Sequence, residues 1–118
     1  MKKIPNSIDV KIDFLKKIIK KPNLTILFTL HNLKTAKWGD FPLYPRDLHK
    51  GIQELLNLGL IKVVIIHDTP TGSKAYELTP LGKKIVQLIE EMEKEFEKWH
   101  SGLPKEPDKF IEEVLEGD

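Results

Sequence analysis

The 118-residue chain contains no cysteine, which excludes disulfides, thiolate metal sites and thiol redox chemistry. Serine is nearly as scarce: Ser7, Ser73 and Ser101 are the only three, and all fall where caps or turns are expected. None stands in a nucleophile elbow, and the seven glycines form no phosphate-binding loop. His31, His49, His67 and His100 lack ligand spacing, so neither a metal nor a cofactor is expected. No apolar run approaches the roughly 20 residues of a membrane helix. The start, Met1-Lys-Lys-Ile-Pro-Asn, has no apolar secretion core. The expectation is a cytoplasmic protein that is not an enzyme and meets no membrane. Abundant Lys, Glu and Ile beside four Asn and two Gln fit thermophile usage.

What is present is a segregation of charge beneath a net of +1. Residues 1–89 hold 15 Lys/Arg against 7 Asp/Glu, a net of +8, while residues 90–118 hold 4 against 11, a net of −7. A basic body with an acidic end suits a body that meets a polyanion. Lysine-rich solvated faces would give the same count, so the arrangement of elements has to decide.

Apolar residues recur at helical spacing in Ile8, Ile12, Leu15 and Ile19, with Asn6 or Ser7 as cap and Pro22 as stop. Asn23 is then expected to cap a second helix, Leu24 to Leu33, that is buried nearly all round and leaves His31 partly buried. Gly39 and Pro42 allow one or two helical turns after Thr35, with Trp38 and Phe41 tucked inward. Pro45 suits the first turn of a helix whose stripe is Leu48, Ile52, Leu55 and Leu56, ended by Gly59. Ile61 to His67 reads as a strand, Asp68-Thr-Pro-Thr-Gly-Ser-Lys74 as a turn, and Ala75 to Leu78 as the returning strand. Thr79 and Pro80 open a long helix carrying Ile85, Ile89, Met92, Phe96 and Trp99 along one seam. Ser101 to Pro107 breaks it, and Phe110, Ile111, Val114 and Leu115 suit one further short helix.

Leu48, Ile52, Leu55, the Gly59-Leu60-Ile61 junction and the Tyr76-Glu-Leu-Thr-Pro-Leu-Gly82 junction resemble winged helix-turn-helix regulators of the MarR, PadR and HxlR type. The resemblance spans about residues 24–90. It implies an α+β, mainly α, winged helix-turn-helix fold with an N-terminal helix (7–21) and a long C-terminal dimerisation helix (80–100). Residues 1–118 would form a single domain ending in an acidic tail (101–118). Pro42 stands where such proteins usually carry a glycine, and Tyr44 where they carry a Ser or Thr cap, so the second helix of the motif is expected to be distorted.

On the outward face of the Pro45 helix, Arg46, Lys50 and Gln53 follow at steps of four and three, with His49 beside them. Arg and Lys pair with guanine O6 and N7, and Gln with adenine N6 and N7. The resemblance makes this the recognition helix for double-stranded DNA, with Tyr44 at its start. Ser73 and Lys74 are expected at the wing tip, and Lys34, Thr35 and Lys37 as further phosphate contacts. Ile8, Ile12, Leu15, Ile19, Ile89, Met92, Phe96 and Trp99 are expected at a homodimer interface. Asp47 and Glu54 make the recognition helix mixed in charge, which keeps open a second reading as a protein-interaction module of a transcription or replication assembly. A small-molecule effector near Trp38 or Trp99 is not determined by the sequence.

Overall fold

The computed structural model describes residues 6–102. In chain order these form α1 (Asn6–Ile18), α2 (Lys21–Leu33), β1 (Thr35–Ala36), a 3-10 turn (Trp38–Asp40), α3 (Pro45–Asn57), β2 (Ile61–Ile66), β3 (Ser73–Leu78) and α4 (Pro80–His100). The strands make an antiparallel sheet in the order β1-β3-β2. Helices, hairpin and closing helix in this order are a mainly helical winged helix. Two compact units are distinguishable, Met1–Val86 and Gln87–Asp118. Among the described residues no helix is long and apolar enough to cross a membrane.

The core of the first unit joins the inward residues of α2 and α3 to the sheet: Ile26, Leu27, Leu30, Leu48, Ile52, Leu55, Leu60, Ala75, Tyr76 and Val86 are all buried. Gly51 lets α2 and α3 approach closely. A β-carbon there would lie 2.6 Å from Ile26 Cδ1 and 2.7 Å from Asn23 Oδ1. At the end of α3, Gly59 takes φ +76°. The Gly59 N–H donates to Leu56 O and the Leu60 N–H to Leu55 O, each at 3.0 Å. That is a Schellman closure, as the placement of Gly59 predicted.

Several expectations need correction. Asn23 does not cap α2, which begins at Lys21. It is buried, and its Nδ2 donates 2.7 Å back to Lys17 O near the end of α1. α2 is not buried all round: Leu33 is 51% exposed, and His31 is exposed rather than partly buried. Thr35 starts no helix. With Lys34 at φ +72°, the chain leaves α2 and Thr35–Ala36 pair with Glu77–Tyr76, adding a third strand. Phe41 is buried against the edge of Tyr76, but Trp38 stays outside at 39% exposure. Ser73 and Lys74 are not at the hairpin tip. They open β3, opposite Ile66 and Ile65, because Gly72 at φ +80° completes the turn before them.

In the second unit the described part is the end of α4. There the Phe96 ring stacks on His100 at 4.9 Å, and Trp99 Nε1 donates to Glu95 Oε1 at 3.2 Å. Asn6 and Ser7, expected as caps, already stand within α1, which begins at Asn6. The helix expected at Phe110–Leu115 in the acidic tail lies outside the described residues.

Candidate nucleic-acid interface

Helix α3 begins at Pro45, whose fixed φ suits the first helical position. Tyr44 precedes it as N-cap without a side-chain capping bond, and its own ring is 81% exposed. The segment before it is as irregular as Pro42 led one to expect. The Leu43 N–H donates to Phe41 O at 2.9 Å, closing a three-residue turn around Pro42. The second helix of the motif is thereby reduced to the single 3-10 turn at Trp38–Asp40. Its start is fixed by Asp40, whose carboxylate accepts from the Lys37 N–H at 2.8 Å.

With Leu48, Ile52 and Leu55 inward, Arg46, His49, Lys50, Gln53 and Asn57 are all exposed on the other side of α3. Arg46, Lys50 and Gln53 make no side-chain hydrogen bond or ion pair among the described residues. Glu54, the acid that made this helix mixed in charge, is taken up elsewhere. Lys20 Nζ donates to both of its oxygens, at 2.9 and 3.1 Å. The same bond holds the Glu54 carboxyl below its ordinary value against the opposing effect of partial burial. Lys20 therefore leaves the outward face of α3 more cationic than its composition suggests. Asp47 remains exposed in the first turn, where the helix dipole favours an acid.

Around this face the remaining candidates divide into two kinds. Lys34 is exposed at the end of α2. Lys74 projects from β3, with its Nζ 5.8 Å from the Tyr76 ring centroid. Thr35 and Lys37 are committed within the fold. The Thr35 hydroxyl donates to Glu77 Oε2 at 2.6 Å, and the Lys37 ammonium is ion-paired with Asp68 in the wing turn. Hydrogen bonds from Lys37 and Ser73 hold the Asp68 carboxyl low, and Asp68 in turn raises Lys37. Trp38 lies 6.4 Å from His49, ring centre to ring centre, tilted by 56°. Sequence reading did not join Trp38 to this face, because it took the residue as core. An open groove of about 590 Å³ beside the start of α3 is lined by Lys21, Pro22, Phe41, Pro42, Leu43, Tyr44 and Asp47. Among the described residues no group of three or more acids and histidines converges as a metal site would require.

Solved structures share this architecture. A transcriptional regulator assigned to the MarR family, from Porphyromonas gingivalis W83, is 26% identical at a TM-score of 0.59, with 79% of this chain and 94% of that one covered. A transcriptional regulator from Salmonella typhimurium is 21% identical over 74% of this chain and 80% of its own, at 0.60. A MarR-family regulator from Silicibacter pomeroyi DSS is 21% identical over 94% of this chain and 80% of its own, at 0.61. The chain has the winged-helix fold of these regulators. No protein-family model matches it, and no curated protein does.

Proposed function

We propose that this chain is a sequence-specific double-stranded DNA-binding transcriptional regulator of MarR-like build that acts as a homodimer. The observation that carries the reading is the outward face of α3. Arg46, His49, Lys50 and Gln53 are exposed side by side, and the neighbouring Glu54 is neutralised by Lys20. In the mechanism proposed, each protomer sets this face and Tyr44 into a major groove, while Lys34, Ser73 and Lys74 follow phosphates or the adjacent minor groove. Thr35 and Lys37 support that surface through Glu77 and Asp68. A cytoplasmic location and the absence of catalysis go with this role.

Two apolar surfaces support a second copy as partner. Ile8, Ile12 and Leu15 on α1, with Ile19 just beyond its end, are 43, 39, 54 and 64% exposed. On α4, Met92, Phe96 and Trp99 are 67, 64 and 72% exposed, beside the half-buried Ile89. Leaving such area in water costs about 25 cal/mol per Å², and contiguous apolar patches mark interaction sites. The two halves of the operator would then lie about one helical turn, ~10 bp, apart. The proposal treats residues 1–118 as one winged-helix domain whose acidic end is kept off DNA by its charge.

Selection of bound duplexes from a random pool at moderate salt tests this reading, with a palindromic consensus as the expected result. The alternative, a protein-interaction module, is favoured by one observation, the exposure of Tyr44 and Trp38 beside α3. A pool that enriches no sequence would support that alternative.

A further inference from the structure

The wing and the recognition helix are joined by a short chain of contacts through the 3-10 turn. Asp68, in the turn between β2 and β3, pairs with the Lys37 ammonium. Lys37 is the residue that starts the 3-10 turn, where the backbone is pinned twice. Its N–H donates to Asp40 Oδ2 at 2.8 Å, and its carbonyl accepts from the Asp40 N–H at 3.0 Å. The next residue, Trp38, leans on His49 in the exposed row of α3. A full second helix would hold that row by its own packing. With that helix reduced to three residues, the ion pair and the indole are what the described residues offer in its place.

We propose that Lys37 and Asp68 fix Trp38 against His49, so that the wing sets the orientation of His49 and with it the base preference of α3. This rests on the DNA-binding reading above and makes Lys37 a positioning residue rather than a phosphate contact, with Trp38 as its link to α3. Displacement of the wing turn, as when it meets a backbone, is passed to the base-reading face through one ion pair and one ring contact. An ion pair at this exposure contributes little to global stability. Its loss is therefore expected to change recognition more than folding.

The test has two arms, one without DNA. Trp99→Phe leaves Trp38 as the sole tryptophan. In that background Asp68→Asn and His49→Ala are each expected to shift Trp38 emission to the red and increase its quenching by acrylamide. The charge swap Lys37→Asp with Asp68→Lys is expected to restore the original emission. In the second arm, with Trp99 intact, Asp68→Asn is expected to reduce discrimination at the base pair facing His49 about fivefold or more, the scale of one lost base contact. The swap should recover it.

Unchanged Trp38 emission in Asp68→Asn, or a shifted emission with base preference intact, overturns the inference. A Trp38 response in a protein that enriches no duplex supports the mechanical link and rejects the DNA-binding reading. Unchanged emission in a protein that binds DNA specifically rejects the link and leaves that reading standing.

Discussion

A β-carbon on Gly82 would lie 1.9 Å from the carbonyl oxygen of Leu60, so the first turn of α4 rests directly on the chain entering β2. Thr79 stitches the same junction. Its N–H donates to Leu60 O at 3.0 Å, its hydroxyl donates to Gly59 O at 2.6 Å, and that hydroxyl accepts from the Gly82 N–H at 3.0 Å. Since backbone cannot move aside as a flexible side chain can, Gly82→Ala is expected to destabilise the fold by about 3 kcal/mol, the upper end of overpacking costs. Urea unfolding monitored by circular dichroism measures this. A loss below ~0.5 kcal/mol would mean that α4 does not sit so close.

Lys20, at the start of α2, and Glu54 of α3 are paired at 2.9 Å. Glu54→Gln is expected to cost about 0.5–1 kcal/mol, the discounted value of a pair whose lysine is well exposed. The folded carboxyl is held below its ordinary value. Its contribution is thus fully present above the unfolded value, about 4.3, and fades as pH falls through the folded one. Unfolding curves of wild type and Glu54→Gln should differ at pH 7 and draw together as pH is lowered through the carboxylate range.

Lys34 is the one non-glycine residue with positive φ among the described residues. A lysine in that region is strained, and strain of this kind clusters at functional sites. Lys34→Gly is expected to raise stability by about 0.5–1 kcal/mol while weakening DNA binding. Paired unfolding and binding measurements on one preparation decide it, and a change in stability alone would remove Lys34 from the interface.

Within α3, Arg46→Ala or Lys50→Ala is expected to cost about 1–3 kcal/mol on the selected operator and to relax base preference. Lys74→Ala should weaken all duplexes alike and lower the salt slope by about one. Binding isotherms at two salt concentrations separate the two patterns. Wild-type affinity in all three variants would refute the proposed face.

Leu15→Glu places a charge in the α1 stripe and Phe96→Glu in the α4 seam. Sedimentation equilibrium of each should show which stripe holds the dimer, since the variant on the true interface is expected to sediment as monomer. If the wild-type chain is already monomeric at micromolar concentration, the homodimer proposal fails.

Much of the fold was legible because local rules and tertiary packing agree there. The Leu48, Ile52 and Leu55 stripe, Gly59 as helix stop, the β-branched run from Ile61 and the Thr79-Pro80 start each have one good solution, and the chain adopts it. Asn23 misled because Asn before an apolar run reads as a cap. Its actual partner, Lys17 O, belongs to another helix and carries no sequence signal. Ser73 and Lys74 misled because turn composition does not reveal the residue at which pairing resumes. Trp38 misled because an aromatic near a core is usually within it.

By itself the sequence determined the order of elements, the inward stripe of α3 and the identity of the side chains opposite it, because helical and strand periodicities are local. Tertiary structure alone decided which of those side chains are already committed. Lys20 reaches Glu54 across 34 positions, Lys37 reaches Asp68 across 31, and Thr35 reaches Glu77 across 42. Charge counts treat each such group as independent, whereas in the fold the two lysine–carboxylate pairs cancel locally, and the Thr35 hydroxyl ties down Glu77 without neutralising it. What α3 is left to offer, the cations Arg46 and Lys50 with the amide of Gln53, is a property of the packing.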